Sequence, residues 1–136
     1  MSLVSTDWLN KNLNEVKIID ASWHLVKNRN AIEEYNKEHI ENAIFFNLDK
    51  NSNKKKNLPH GHFLPSTSDH EKSISEMGIS NTDRIIIYCC SDLISSCRAW
   101  FQFLYFGHNP KLVSVLNGGM KKWKLEKKKV KKKKKK

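Results

Sequence analysis

The residues with the greatest capacity for chemistry are two adjacent cysteines, Cys89 and Cys90, which follow Arg84-Ile-Ile-Ile-Tyr88, the clearest strand pattern in the chain. A thiol between a buried strand and the start of a helix faces free backbone N–H groups and the positive end of the helix dipole. Both favour the thiolate, so this is where a nucleophile would sit. Cys97, inside the next predicted helix and flanked by Ser96 and Arg98, reads as core packing. An odd number of cysteines clustered between positions 89 and 97 is no disulfide framework, and reduced thiols are expected. His60, His62, His70 and the cysteines lack CxxC and His-x-x-x-His spacing, so neither a metal site nor another cofactor is expected.

The elements that must position these thiols follow from periodicity and capping. Ser5-Thr6-Asp7 offers N-caps for a helix over Trp8–Leu13, and Val16–Asp20 has strand character. Ala31–His39 is helical by composition, Ala43–Phe46 is a second strand, and positions 47–62 form a polar, lysine-bearing loop. Ser66-Thr-Ser-Asp69 has capping-box spacing for a helix through Glu76, with Gly78 as its stop. After the cysteines come a helix over Leu93–Phe106 closed by Gly107, a strand over Leu112–Leu116 and a short helix over Gly118–Leu125. Strands alternating with helices, and an unbroken apolar run such as Ile85-Ile-Ile87, predict an α/β fold: a mainly parallel central sheet with helices on both faces. In such sheets ligands bind beyond the carboxyl ends of the strands, where Cys89 and Cys90 stand.

The 136 residues suit one domain, and their net charge of +11 has to be located before it is used. From Lys121 onward there are 12 lysines against one glutamate, whereas positions 1–120 hold 13 basic and 13 acidic side chains and are neutral. A nucleic-acid groove needs cations spread over a folded face, so no nucleic-acid partner is expected. The expected organisation is one domain over residues 1–124 and a disordered lysine-rich tail over 125–136. There is neither a run of 18 apolar residues nor a basic-then-apolar leader, so the expectation is no membrane span and a cytoplasmic placement.

Several segments appear in a telling order: Val4-Ser-Thr-Asp-Trp-Leu9, Ile19-Asp-Ala-Ser-Trp23, Glu34-Tyr, His39-Ile-Glu-Asn-Ala-Ile-Phe-Phe46 and Leu64-Pro-Ser66 in the first half. Phe106-Gly-His108 and Leu116-Asn-Gly-Gly-Met-Lys-Lys-Trp123 follow the cysteines. Together they resemble the N-terminal half of the two-domain thiosulfate/3-mercaptopyruvate sulfurtransferases, and the resemblance runs from Leu3 to about Trp123. It implies a rhodanese-like fold. It also implies a chemistry in which a cysteine takes sulfane sulfur from thiosulfate or 3-mercaptopyruvate, holds it as a persulfide and delivers it to a thiol or cyanide. On that pattern Cys89 takes the catalytic position, and Cys90, Ser91, Asp92, Leu93 and Ile94 form the substrate-binding cradle.

Several further features bear on the pattern. In the N-terminal half of this family the position of Cys89 usually holds Asp, and the active cysteine lies in a second rhodanese domain. The alternative is therefore a non-catalytic domain that completes the cleft of such a partner. Asp49 and His62 match the Asp and His that mercaptopyruvate members draw from this half as a proton relay. An inward-facing Asp92 would repel a thiolate about 6 Å away by roughly 3 kcal/mol at an effective dielectric near 20. Asn42 stands where Gly is usual, and Asn47 and Asn117 where Asp is frequent. The phosphatases that share the rhodanese fold carry Cys, five residues, Arg; here eight residues separate Cys89 from Arg98, so the guanidinium cannot clamp a phosphate in that loop.

Overall fold

A computed structural model describes residues 2–53, 63–91 and 95–132. Its elements are β1 (Leu3–Val4), α1 (Thr6–Lys11), β2 (Lys17–Asp20), α2 (Ala31–Lys37), β3 (Glu38–Ile40), β4 (Ala43–Phe45), α3 (Thr67–Glu76), β5 (Ile85–Tyr88), α4 (Ser95–Tyr105), a 3-10 turn (Pro110–Leu112), β6 (Val113–Leu116), α5 (Gly119–Leu125) and β7 (Val130–Lys132). Five strands form one sheet in the order β1-β6-β5-β2-β4, and every pair in it is parallel. The expected α/β architecture is the one observed.

Local chemistry explains the boundaries. Ser5 accepts a hydrogen bond from the Trp8 amide at 3.0 Å and starts α1, while Ser66 accepts from Asp69 N at 3.2 Å and starts α3. Gly78, at φ +74°, ends α3 in a left-handed turn. Asn42 sits at φ +70° between β3 and β4; Asn tolerates the left-handed region where most side chains do not, which is how it serves where Gly is usual.

Both faces of the sheet are covered, so the strands alternate between two cores. Ile19, Ile85 and Ile87 face one core, closed by Ala99 and Phe103 of α4 with Ile74 of α3 against it. Ile18, Ile86 and Tyr88 face the other, closed by Leu9 of α1 and by Met120 and Trp123 of α5. All four residues of β5 are buried, which is why its sequence shows no polar alternation.

The lysine-rich end differs from the expected disordered tail as far as it is described. Val130–Lys132 pairs antiparallel with Glu38–Ile40. The stretch is held by the fully buried Trp123, whose Nε1 donates to the Lys129 carbonyl at 3.0 Å, and by Lys128 Nζ 2.8 Å from Asp7. Charge density alone predicted repulsion. A buried indole N–H that needs an acceptor, and the unpaired edge of β3, override it locally.

Candidate functional site

After β2 the chain builds β4 on one side of it and then returns to build β5 on the other. The carboxyl ends of β2 and β5 therefore flank the point where strand order reverses, and a parallel α/β sheet opens a crevice there. Main-chain bonding links the two ends, the Ala21 amide donating to the Tyr88 carbonyl at 2.9 Å. Just beyond lie Ser22 on one side and Cys89 and Cys90 on the other.

The alternation that sorts β5 between the two cores continues into the cysteines and parts them. Cys89 turns toward the first turn of α4, its Sγ donating to Ser96 Oγ at 3.5 Å. Its carbonyl accepts from the Met120 amide at 3.1 Å. A Cβ on Gly119, which has φ +60°, would lie 2.6 Å from that same oxygen. The Gly-Gly pair before Trp123 thus lets α5 dock directly on the strand end that carries Cys89.

Cys90 turns the opposite way, into a polar network. Its amide donates to Ser22 Oγ at 2.8 Å, and its Sγ lies 3.1 Å from the same oxygen and 3.3 Å from Glu34 Oε1. Ser22 in turn donates to Asp20 Oδ1 at 2.5 Å. Glu34 also receives Arg29 Nε at 3.0 Å and pairs with His24 Nε2 at 2.8 Å. Burial pushes the Cys90 thiol up to about 12, with the carboxylates of Asp20 and Glu34 acting in the same direction against the Ser22 hydrogen bond. Burial also works against ionised Glu34, yet the hydrogen bonds from Arg29 and His24 outweigh it and hold that carboxyl down at about 2. Asp20 is raised by burial, in opposition to its bonds from Ser22. At neutral pH Cys90 is a thiol, which disfavours it as the nucleophile.

The remaining predicted site residues fall as follows. Ser91 pairs with Ser95 through hydroxyls 2.8 Å apart, at the start of α4. Asp49 accepts from Trp23 Nε1 at 3.1 Å, so its carboxylate is fixed from the β2 side. His62, Asp92, Leu93 and Ile94 lie outside the described residues. The Cys90 amide, expected in the anion cradle, is engaged by Ser22. Cys97 is partly exposed rather than a core residue, because the buried face of α4 is Ser95, Ser96, Ala99, Gln102 and Phe103. Its thiol is raised by burial and then by the nearness of Cys89.

Sequence reasoning missed Ser22, His24 and Arg29 as neighbours of the strand-end thiols. They lie in the irregular segment between β2 and α2, where no periodicity points to them. Ser22 alone carried a signal, since it sits two residues past the end of a buried parallel strand beside an acid.

The comparisons with known proteins agree with this geometry. The rhodanese-like domain family matches residues 5–126. The chain is 42% identical over 124 residues to the mitochondrial thiosulfate/3-mercaptopyruvate sulfurtransferase 1 of Arabidopsis thaliana, covering 89% of this chain and 32% of that protein. It is 36% identical over 131 residues to the 3-mercaptopyruvate sulfurtransferase of Rattus norvegicus, covering 90% of this chain and 43% of that protein. Among solved structures it superposes on SseA from Escherichia coli, a 3-mercaptopyruvate sulfotransferase, with TM-score 0.87 and 30% identity, over 97% of this chain and 51% of that one. The fold and the strand-end site define a rhodanese-like α/β domain. The chain belongs to that family, with sulfurtransferases as its relatives, and it spans about a third to under a half of the length of these two curated relatives. Among the described residues no helix is long and apolar enough to cross a membrane.

Proposed function

We propose that this chain is a sulfurtransferase domain that accepts sulfane sulfur on Cys89 from thiosulfate or 3-mercaptopyruvate and passes it to a thiol or cyanide. The observation that carries this reading is the position of Cys89: at the carboxyl end of β5, beside the strand-order reversal, with its sulfur 3.5 Å from a hydroxyl in the first turn of α4. With thiosulfate, the Cys89 thiolate attacks the outer sulfur, the S–S bond breaks, and sulfite leaves with the bonding pair. The persulfide then gives that sulfur to the acceptor, forming thiocyanate from cyanide and returning the thiolate. The N-terminal dipole of α4 and the Ser96 hydroxyl stabilise the sulfur anion in both steps. Asp49, fixed by Trp23, and His62 are the groups proposed to move a proton when the donor is 3-mercaptopyruvate.

The same reading sets the chemistry in a reducing compartment, the cytoplasm in the simplest case, because three cysteines clustered between positions 89 and 97 suit reduced thiols rather than a disulfide framework. A second reading rests on the segments that resemble an N-terminal half, from Leu3 to about Trp123: there the domain completes the cleft of a second rhodanese domain without turnover. Thiocyanate formation from thiosulfate and cyanide by the purified chain separates the two. Activity that disappears in Cys89→Ser supports the first reading, and absence of activity in both proteins supports the second.

A further inference from the structure

His24, Glu34 and Cys90 come from three separate parts of the chain: the segment after β2, helix α2 and the end of β5. One donor atom from each, an imidazole nitrogen, a carboxylate oxygen and a thiol sulfur, lies within 4.8 Å of the other two. We propose that His24, Glu34 and Cys90 form a binding site for a zinc-class divalent cation, set in the wall of the cleft between α2 and α5. The inference does not rest on the sulfur-transfer reading.

The donor set is the one such an ion prefers, since nitrogen, oxygen and sulfur ligands together suit zinc and its congeners and exclude magnesium and calcium. The distances also fit. Metal–ligand bonds of about 2.0–2.3 Å in a tetrahedral arrangement put ligand atoms roughly 3.4–3.7 Å apart. Here His24 Nε2 and Glu34 Oε1 are 2.8 Å apart, and Cys90 Sγ and Glu34 Oε1 are 3.3 Å apart. Opening the first pair by about half an ångström and drawing the sulfur toward the imidazole seats the ion. Three ligands leave the fourth position for water or an exogenous group, and the cleft of about 370 Å³ reaches two of them, Glu34 and Cys90, with Asp20 and Glu38 set against Arg29, Lys37, Lys121 and Lys124 in its lining.

The surroundings hold the ligands in place. The His24 side chain is only 3% exposed. Arg29 grips Glu34 from behind, with Nε on Oε2 at 3.0 Å and Nη2 on Oε1 at 3.1 Å, and its Nη2 also reaches the Cys90 carbonyl at 3.4 Å. Such outer contacts orient a ligating carboxylate. On binding, the metal–sulfur bond replaces the Cys90 S–H bond and its proton goes to solvent, while His24 presents Nε2 as a lone pair with its proton on Nδ1. The thiolate and the Glu34 carboxylate, the latter shared with Arg29, then offset most of the dication's charge. The Asp20 and Glu34 carboxylates around the sulfur add attraction for a cation.

The test is cobalt(II) and zinc titration of the purified full chain, kept reduced without a thiol reagent. Cobalt reads a thiolate charge-transfer band, and zinc reads competition with a chromophoric chelator. One equivalent with a thiolate band is expected. Cys90→Ser and His24→Ala should each weaken binding at least tenfold, since even outer-shell losses cost about 10- to 100-fold. Cys97→Ser should retain both band and affinity. Circular dichroism confirms that each variant is folded, and if one is not, the other decides. No thiolate band in the unaltered chain, or undiminished zinc affinity in a folded Cys90→Ser or His24→Ala protein, would overturn the proposal.

Discussion

Gly119→Ala tests the contact that fixes the strand end carrying Cys89. The added methyl would lie 2.6 Å from the Cys89 carbonyl oxygen, on a residue with φ +60°. A Cβ in the left-handed region costs about 1–2 kcal/mol. Relieving the clash separates Gly119 from that carbonyl and breaks the 3.1 Å bond from the Met120 amide, a further loss of about 0.5–1.5 kcal/mol. The total is roughly 1.5–3.5 kcal/mol. Gly78→Ala is the matched control: its φ is +74°, but nothing lies within 4 Å of the new methyl, so only the backbone term of about 1–2 kcal/mol applies. Urea unfolding of both variants, compared at unchanged m-value, measures the difference as a shift in midpoint. If Gly119→Ala costs no more than Gly78→Ala, the close approach of α5 to Cys89 is wrong.

Three other outcomes follow from single contacts. His70 is buried beside Gln102 and stacked on Phe106, and burial pushes its pKa down to about 4. Its neutral form is the folded one, and the unfolded chain takes a proton below about pH 6.5. Stability is thus fully present above that pH and declines on the order of 3 kcal/mol toward pH 4; denaturant midpoints measured across this window should show the slope, and His70→Phe should flatten it. Tyr88→Phe removes the hydroxyl that accepts the buried Ile40 amide at 3.2 Å and should cost about 1–3 kcal/mol by thermal or urea unfolding. Deleting residues 127–136 strips the acceptor from the fully buried Trp123 indole and the partner of β3, with an expected loss of about 1–3 kcal/mol in the same assay.

The sheet was legible in the sequence because its signals are local and strong. Ile85-Ile-Ile87 shows a strand buried on both faces, Ser66 and Gly78 mark the ends of α3, and the strand-to-cysteine junction marks the crevice. What sequence could not give is how two neighbours in the chain are divided. One residue of advance along an extended backbone reverses the side-chain direction, so Cys89 and Cys90 enter different environments although composition treats them alike. The network around Cys90 joins positions 20, 22, 24, 29, 34 and 90, separations that only the parallel crossover between β2 and β5 closes. The lysine-rich end misled for a related reason: its repulsion is visible in the sequence, while the Trp123 indole and the edge of β3 that capture it are tertiary features.

The central claim is that Cys89 carries the sulfur. Its most direct test is mass spectrometry of the purified chain after incubation with thiosulfate, with peptide mapping of the modified thiol. The account predicts one added sulfur atom on Cys89, removed by cyanide, absent from Cys89→Ser and present in Cys90→Ser. A persulfide mapped to Cys90 or Cys97, or no added sulfur on a folded chain, would contradict it.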